Sequence, residues 1–338
     1  MRALQINHYG EDVQIQEVEK PTIAAEQLCI EVVAASVNPV DYKIQQGDGK
    51  WVLGNKLPLT LGHDFSGIVK EVGVKVQGYQ IGDKVFGRAP HTGSFCEYIA
   101  VQPNDIAHAP ASISLIEAAS VPLAALTAWQ ALEEGLQLQP KQTLLITGGS
   151  GGVGSAAIAL AHAMGAQVVT TASAQGAAFL AAYHPEKIID YQTTNFKEVL
   201  SSVDAVFDTR GGQTLVDSFS VLKKGGRVAT IVSLPTADFA QKIGLGKGAQ
   251  LFVKVATSRF TRLARKKEGH FYAFFTQSNG NQLQKIAQLI DQNQYPIHIE
   301  EQFSMDNGQA AINLVRKGHV KGKVVIVIRP EEEMTTTH

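Results

Sequence analysis

Cysteine is almost missing: the 338-residue chain holds only Cys29 and Cys96, too few for a disulfide framework or a zinc site of four thiolates. A reducing compartment, the cytoplasm, is the expected setting. No sign of charge dominates. With 30 basic against 31 acidic residues the formal charge is −1, so no field over the whole molecule gathers nucleic acid. Long apolar runs are also lacking. No stretch reaches the roughly 18 residues of a membrane span, and the charged opening MRALQINHYGEDVQ has no apolar centre of a secretory leader. Charged residues make up 18% and hydrophobic residues 44%, a balance that excludes global disorder and leaves ample material for a buried core. The length exceeds the ~250–300 residues at which single cores stop growing, so two lobes are expected.

Periodicity divides the chain. To about Pro110, alternating segments such as Leu28-Cys29-Ile30-Glu31-Val32-Val33, with turn signals at Gly47-Asp48-Gly49, Gly78, Gly82-Asp83 and Gly93, predict a β-rich lobe. From Ser114 the spacing of SLIEAASVPLAALTAWQALEEG predicts helix as far as Gly135. Strand and helix then alternate, with strands over 143–147, 167–171, 187–190, 205–208 and 226–232 and helices over 153–164 and 177–183. That alternation predicts a parallel doubly wound sheet. A helix over 282–292 leads to β-like segments at 298–303 and 323–328, which complete the first lobe.

The strongest motif is TLLITGGSGGVGSAAIALAHAMGA. An apolar strand runs into Gly149-x-Gly151-x-x-Gly154 and a small-residue helix, the context in which such glycines bind a dinucleotide. Glycine allows the tight turn and close approach of backbone to pyrophosphate, while the helix N-terminus offers N–H groups and partial positive charge. Gly149, Ser150, Gly151, Gly152, Val153 and Gly154 are therefore the candidate phosphate cradle. The second strand selects the cofactor. It ends Thr170-Thr171-Ala172-Ser173-Ala174-Gln175, with no carboxylate to bind free ribose hydroxyls or repel a 2′-phosphate. Ser173 can donate to that phosphate, although no arginine or lysine follows nearby, and NADPH is the expected cofactor.

The segments SVNPVDYKIQQG, PLTLGHDFSGIVKEVG, PLAALTAWQAL, ITGGSGGVG, KKGGRVATIVS and HVKGKVVIVI, in this order, resemble the medium-chain dehydrogenase/reductase superfamily. Within it the chain is similar to the zinc-independent NADPH quinone oxidoreductase and enone reductase branch. The resemblance implies an α/β fold in which a GroES-like β-rich catalytic domain is interrupted in sequence by a Rossmann doubly wound parallel-sheet domain. The expected division is 1–124, 125–277 and a return segment 278–338, with the active site in the cleft between the two lobes. Hydride transfer from NADPH to a quinone or an α,β-unsaturated carbonyl is the implied activity, and a homodimer is expected.

In the zinc enzymes of this superfamily a cysteine ligand stands where this chain has Asn38, while the histidine of GHE is retained as His63. One histidine cannot hold a metal that requires three protein ligands, so no metal is expected and His63 is read as a hydrogen-bonded structural residue. Of the structural cysteine cluster only Cys96 remains between Gly87 and Val101. Conjugated acceptors suit a metal-free site, because their reduction leaves a delocalised enolate or phenolate that hydrogen-bond donors can stabilise. By resemblance Asn38 and Lys43 are the candidate catalytic donors; the ordinary alternative for Lys43 is a solvated surface lysine. By resemblance Thr127 matches a threonine facing the nicotinamide end, Tyr191 a position beside the adenosine phosphates, and Thr209, Ser233 and Phe274 positions that line the nicotinamide channel; each is equally compatible with packing.

The segment from Ala240 to Gly269 departs from shorter quinone reductases, with Arg259, Arg262, Arg265, Lys266 and Lys267 set among Phe260 and Leu263. A basic amphipathic stretch can lie on an anionic membrane, but a solvated helix face or dimer contact is the expected reading. Two other functions stay open, a zinc-dependent alcohol dehydrogenase and a non-catalytic NADPH-binding redox sensor.

Overall fold

The structure is a computed structural model that describes residues 1–48 and 57–329. Gly49 and positions 330–338 of the return segment lie outside the described residues. Two compact units are present: one combines Met1–Leu126 with the segment from Gln277 onward, and the other is Thr127–Thr276.

The first unit opens with β1 (Arg2–Ile6), β2 (Gln14–Glu17), β3 (Leu28–Val37), β4 (Leu59–Thr60), β5 (Asp64–Val72), β6 (Lys84–Arg88), β7 (Tyr98–Val101) and β8 (Ile106–His108). Strand β3 is buried along its whole length, because β5, β7 and the returning chain pair with it while core side chains cover both faces. The helix Pro39–Gln45 follows directly. Pro39 sits in its first turn, where a missing N–H costs nothing, and the Asp41 carboxylate accepts from the Asn38 N–H at 2.7 Å.

The expected single helix from Ser114 to Gly135 is broken into Leu115–Ala118 and Pro122–Gln130. Pro122 has no N–H to continue the first ladder, so the helix restarts at it. The last turn, Ala131–Gly135, widens to π geometry, and a side chain at Gly135 would press on the Tyr272 ring at 2.5 Å.

In the second unit β9 (Thr143–Thr147), β10 (Gln167–Ala172), β11 (Lys187–Asp190), β12 (Val203–Asp208), β13 (Leu222–Thr230) and β14 (His270–Ala273) form one parallel sheet in the order β11-β10-β9-β12-β13-β14. The chain steps outward from β9 to β11 and then resumes on the other side with β12. This is the doubly wound Rossmann order, whose switch point lies between β9 and β12. Strand β14 was not evident in the sequence: His270–Ala273 carries no alternation and follows a run of cations. Its side of the sheet is closed by Phe219, Phe260 and Phe271, packed with centroids 5.3 to 6.5 Å apart.

The return segment contributes β15 (Ile299–Ser304) and β16 (Lys323–Val327) to the sheet of the first unit, in the order β15-β16-β3-β5-β6-β8 with β7 also on β3. The tail thus completes the β-rich unit. The fold is α/β, with a GroES-like β-rich unit and a six-stranded parallel unit.

Candidate active site

Every candidate residue of the parallel unit except Thr127 stands just beyond the carboxyl end of a strand. The glycine turn follows β9, Ser173 follows β10, Tyr191 follows β11, Thr209 follows β12, Ser233 lies beyond β13 and Phe274 follows β14. Ligands of open parallel sheets bind at this edge.

The turn is held by its neighbours. Gly148 and Gly149 donate N–H groups to Thr171 Oγ1 and Thr171 O, each at 3.0 Å. A Cβ on Gly149 would overlap the Thr170 hydroxyl, and one on Gly154 would overlap the Gly148 carbonyl. At Gly151 the situation is reversed, since a Cβ there meets only Gly148 O at 3.7 Å. Two glycines are thus required by packing, while the third keeps open the space that a pyrophosphate needs. Gly151 is also the N-cap of the helix Gly152–Ala163, which no side chain caps. The N–H groups of Gly152, Val153 and Gly154 occupy its first turn, where an α-helix leaves donors without intrahelical partners. These residues fit a dinucleotide.

Ser173 caps the helix Ala174–Leu180, with Oγ accepting the Gly176 N–H at 3.2 Å. That bond uses a lone pair and leaves the hydroxyl proton available. A Cβ on Gly176 would lie 2.8 Å from Ser150 Oγ, so the glycine turn and the end of β10 are in contact. Tyr191 is exposed.

Thr209 donates its hydroxyl to Thr147 O at 2.6 Å, and Ser233 donates to Leu234 O at 3.1 Å. Thr127 is buried, with Oγ1 2.6 Å from Thr276 Oγ1. The Phe274 ring is 1% exposed and packs on Phe239 and Tyr272, whereas the neighbouring Phe275 ring is 39% exposed.

Asp208 escaped the sequence reading. Fully buried at the end of β12, it accepts from Thr147 and Thr230 hydroxyls, each at 2.9 Å, and from Gly211 N–H at 3.0 Å. It ties three strand ends together at the switch point. A carboxylate closing the apolar run 205–207 of the strand VDAVFD was its only signal. Arg210 runs beside the turn, with Cδ 2.9 Å from a Cβ built on Gly148.

Asn38 and Lys43 belong to the β-rich unit. The Asn38 side chain is buried: Nδ2 donates to Asp64 Oδ2 at 2.9 Å and Ser36 O at 3.3 Å, and Oδ1 accepts from Lys323 Nζ. Both amide protons are committed, so the expectation that Asn38 supplies an oxyanion donor is corrected. Asp64 accepts from Ser36 Oγ at 2.8 Å, Lys323 Nζ at 3.0 Å and Leu123 N–H at 2.7 Å. His63 is buried with Nδ1 2.6 Å from Asp41 Oδ1. A catalytic zinc needs three ligands and an open position. Here an amide replaces the thiolate, an ammonium stands against Asp64 and no three His, Cys, Asp or Glu side chains group together among the described residues, so the residues present do not fit zinc. Burial pushes the Cys29 thiol up and the Cys96 thiol up to about 12, so neither is a ready thiolate. Lys43 is exposed near the end of its helix, and its side chain makes no hydrogen bond or ion pair among the described residues.

Residues 24–111 match the family model described as alcohol dehydrogenase GroES-like domain, and residues 184–326 match that described as zinc-binding dehydrogenase. A mouse protein named NAD(P)H oxidoreductase RTN4IP1, mitochondrial, is 32% identical over 96% of this chain and 89% of its own. The chain belongs to the medium-chain dehydrogenase/reductase superfamily. As a medium-chain dehydrogenase/reductase it is also 31% identical to the tomato (Solanum lycopersicum) 2-methylene-furan-3-one reductase, over 96% of this chain and 79% of that one. The solved quinone oxidoreductase of Coxiella burnetii superposes with a TM-score of 0.85 at 33% identity, covering 97% of this chain and 99% of the other. These likenesses make the chain an oxidoreductase that uses a nicotinamide cofactor.

Proposed function

We propose that this chain is an NADPH-dependent reductase that delivers hydride to a quinone or to the β-carbon of an α,β-unsaturated carbonyl, without a catalytic metal. The observation that carries the reading is Lys323, whose ammonium pairs with Asp64 and Asn38 at the point where zinc relatives need free ligands. Without a Lewis acid a saturated carbonyl would leave a localised alkoxide, whereas a conjugated acceptor spreads the charge over an enolate or phenolate. Relatives named as an NAD(P)H oxidoreductase, a furanone reductase and a quinone oxidoreductase support the same class.

When bound, the nicotinamide supplies the hydride. The backbone N–H groups of the glycine turn would hold the pyrophosphate, and Ser173 would offer its free proton to the 2′-phosphate. Asn38 has no donor to spare, so the developing oxyanion falls to Lys43, which stabilises it and returns a proton to the enolate carbon directly or through water.

NADPH consumption with quinones, enones, saturated aldehydes and alcohols tests this reading. Quinones and enones should turn over and the saturated compounds should not. Lys43→Ala should lower kcat with an enone, by on the order of 10²–10³ if bound substrate and cofactor exclude water from the ammonium, and less with a quinone. Equal use of saturated aldehydes, or a preference for NADH, would sink the proposal.

A further inference from the structure

The helix Lys247–Ala256 in the parallel unit buries almost nothing. Val253 is its only buried residue, while Leu251, Phe252 and Val255 are 63%, 64% and 66% exposed. At about 100° per residue these three fall on one arc of roughly 100°, with Lys247 and Lys254 along its edge. The next helix, Ser258–Arg265, turns Phe260, Leu263 and Ala264 toward the sheet core and leaves Arg259, Arg262 and Arg265 exposed. From Phe239 to Lys267 the chain carries eight lysines and arginines and no acidic residue, within a protein of net charge −1. Lys247, Lys254, Arg259, Arg262, Arg265 and Lys266 make no ion pair among the described residues. Exposed apolar side chains of this size on one helix mark a contact surface.

We propose that the helix Lys247–Ala256 lies in the plane of an anionic lipid surface, with Leu251, Phe252 and Val255 among the acyl chains and the flanking lysines and arginines at the phosphates. Charge selects this occupant. A second copy docked on the same face by a twofold axis would bring Lys247 and Lys254 of both copies into one interface with no acidic partner on that face, whereas anionic headgroups neutralise them. The arrangement is that of an interfacial helix, with apolar side chains on one arc and cations able to extend from its edge into the headgroups.

Flotation of the full chain with vesicles of phosphatidylcholine, and of phosphatidylcholine mixed with phosphatidylglycerol, provides the test. Binding should require phosphatidylglycerol and weaken with salt. Leu251→Gln with Phe252→Gln should weaken it roughly tenfold or more, and Lys247→Gln and Lys254→Gln by about fivefold each. All four positions are exposed, and unchanged thermal melting confirms that the variants are folded. The proposal is overturned if the unmodified protein ignores anionic vesicles at low salt, or if the Leu251/Phe252 variant binds them equally well. It is also overturned if light scattering reveals a dimer that this variant dissociates while vesicles are ignored, since the face would then belong to a second copy.

Discussion

The half-buried glycine turn of the parallel unit and the buried Asp64 network of the β-rich unit are polar constructions built by opposite means. The turn is continuous in sequence and works through backbone: Gly149 and Gly154 are required by contact with Thr170 and Gly148, and Gly151 by the space it leaves. The network works through side chains brought from afar, with Lys323 and Asn38 separated by 285 positions. A backbone site tolerates changes around it but not within it. A side-chain network fails at any member, because each loss strands a buried partner.

The largest effect is expected in the network. Lys323→Met leaves the Asp64 carboxylate and the Asn38 carbonyl buried without their cation, a loss of about 3–5 kcal/mol, visible as a lower melting temperature. Adding Asp64→Asn should restore part of it. If the double variant is no better than the single one, the pair is not coupled.

Next comes the turn. Gly154→Ala forces the backbone at Gly148 to move, at a cost of roughly 1–3 kcal/mol, and should abolish measurable NADPH binding. Gly151→Ala should melt normally yet bind NADPH weakly, since its Cβ enters the space kept for the pyrophosphate. Calorimetry and fluorescence titration of the pair separate packing from ligand space. Equal melting of both variants would contradict the distinction.

This contrast explains what was legible in advance. Strands 143–147 and 187–190 and the return of the tail to the first lobe were readable because periodicity and glycine spacing are local. The helix starting at Ala174 begins three residues before the position expected, because the Ser173 cap was not used to place its start. Phe274 and Phe275 were indistinguishable, since both rings meet Phe239 and only the further stack of Phe274 on Tyr272 separates them. The commitment of the Asn38 amide was hidden because its partners Asp64 and Lys323 are distant in sequence. The Asp208 tie escaped for the same reason.

A smaller effect concerns the cofactor. Ser173→Asp should weaken NADPH by roughly tenfold through like-charge repulsion while leaving NADH nearly unchanged. Equal losses for the two would mean that the position supports the helix rather than the phosphate.

The smallest effect lies at Glu31, buried on the interior strand β3 of the β-rich unit. Burial raises the Glu31 carboxyl, but Lys70 at 2.7 Å, Tyr98 at 3.0 Å and Arg329 at 2.5 Å outweigh it and hold the group below its ordinary value. The resulting stability is present above the unfolded value near ~4.3 and is lost as pH falls through the folded one. Glu31→Gln should therefore cost about 1 kcal/mol at neutral pH, because Lys70 and Arg329 stay partly exposed, and the gap to the unmodified protein should narrow in acid. A gap independent of pH would show that packing alone sets it.

Enone reduction measured on one preparation before and after exhaustive chelation, with the bound metal counted each time, tests the central claim most directly. The account predicts well under one equivalent of zinc and an unchanged NADPH-dependent rate. Stoichiometric zinc removed together with the activity would contradict it and favour a zinc-dependent alcohol dehydrogenase.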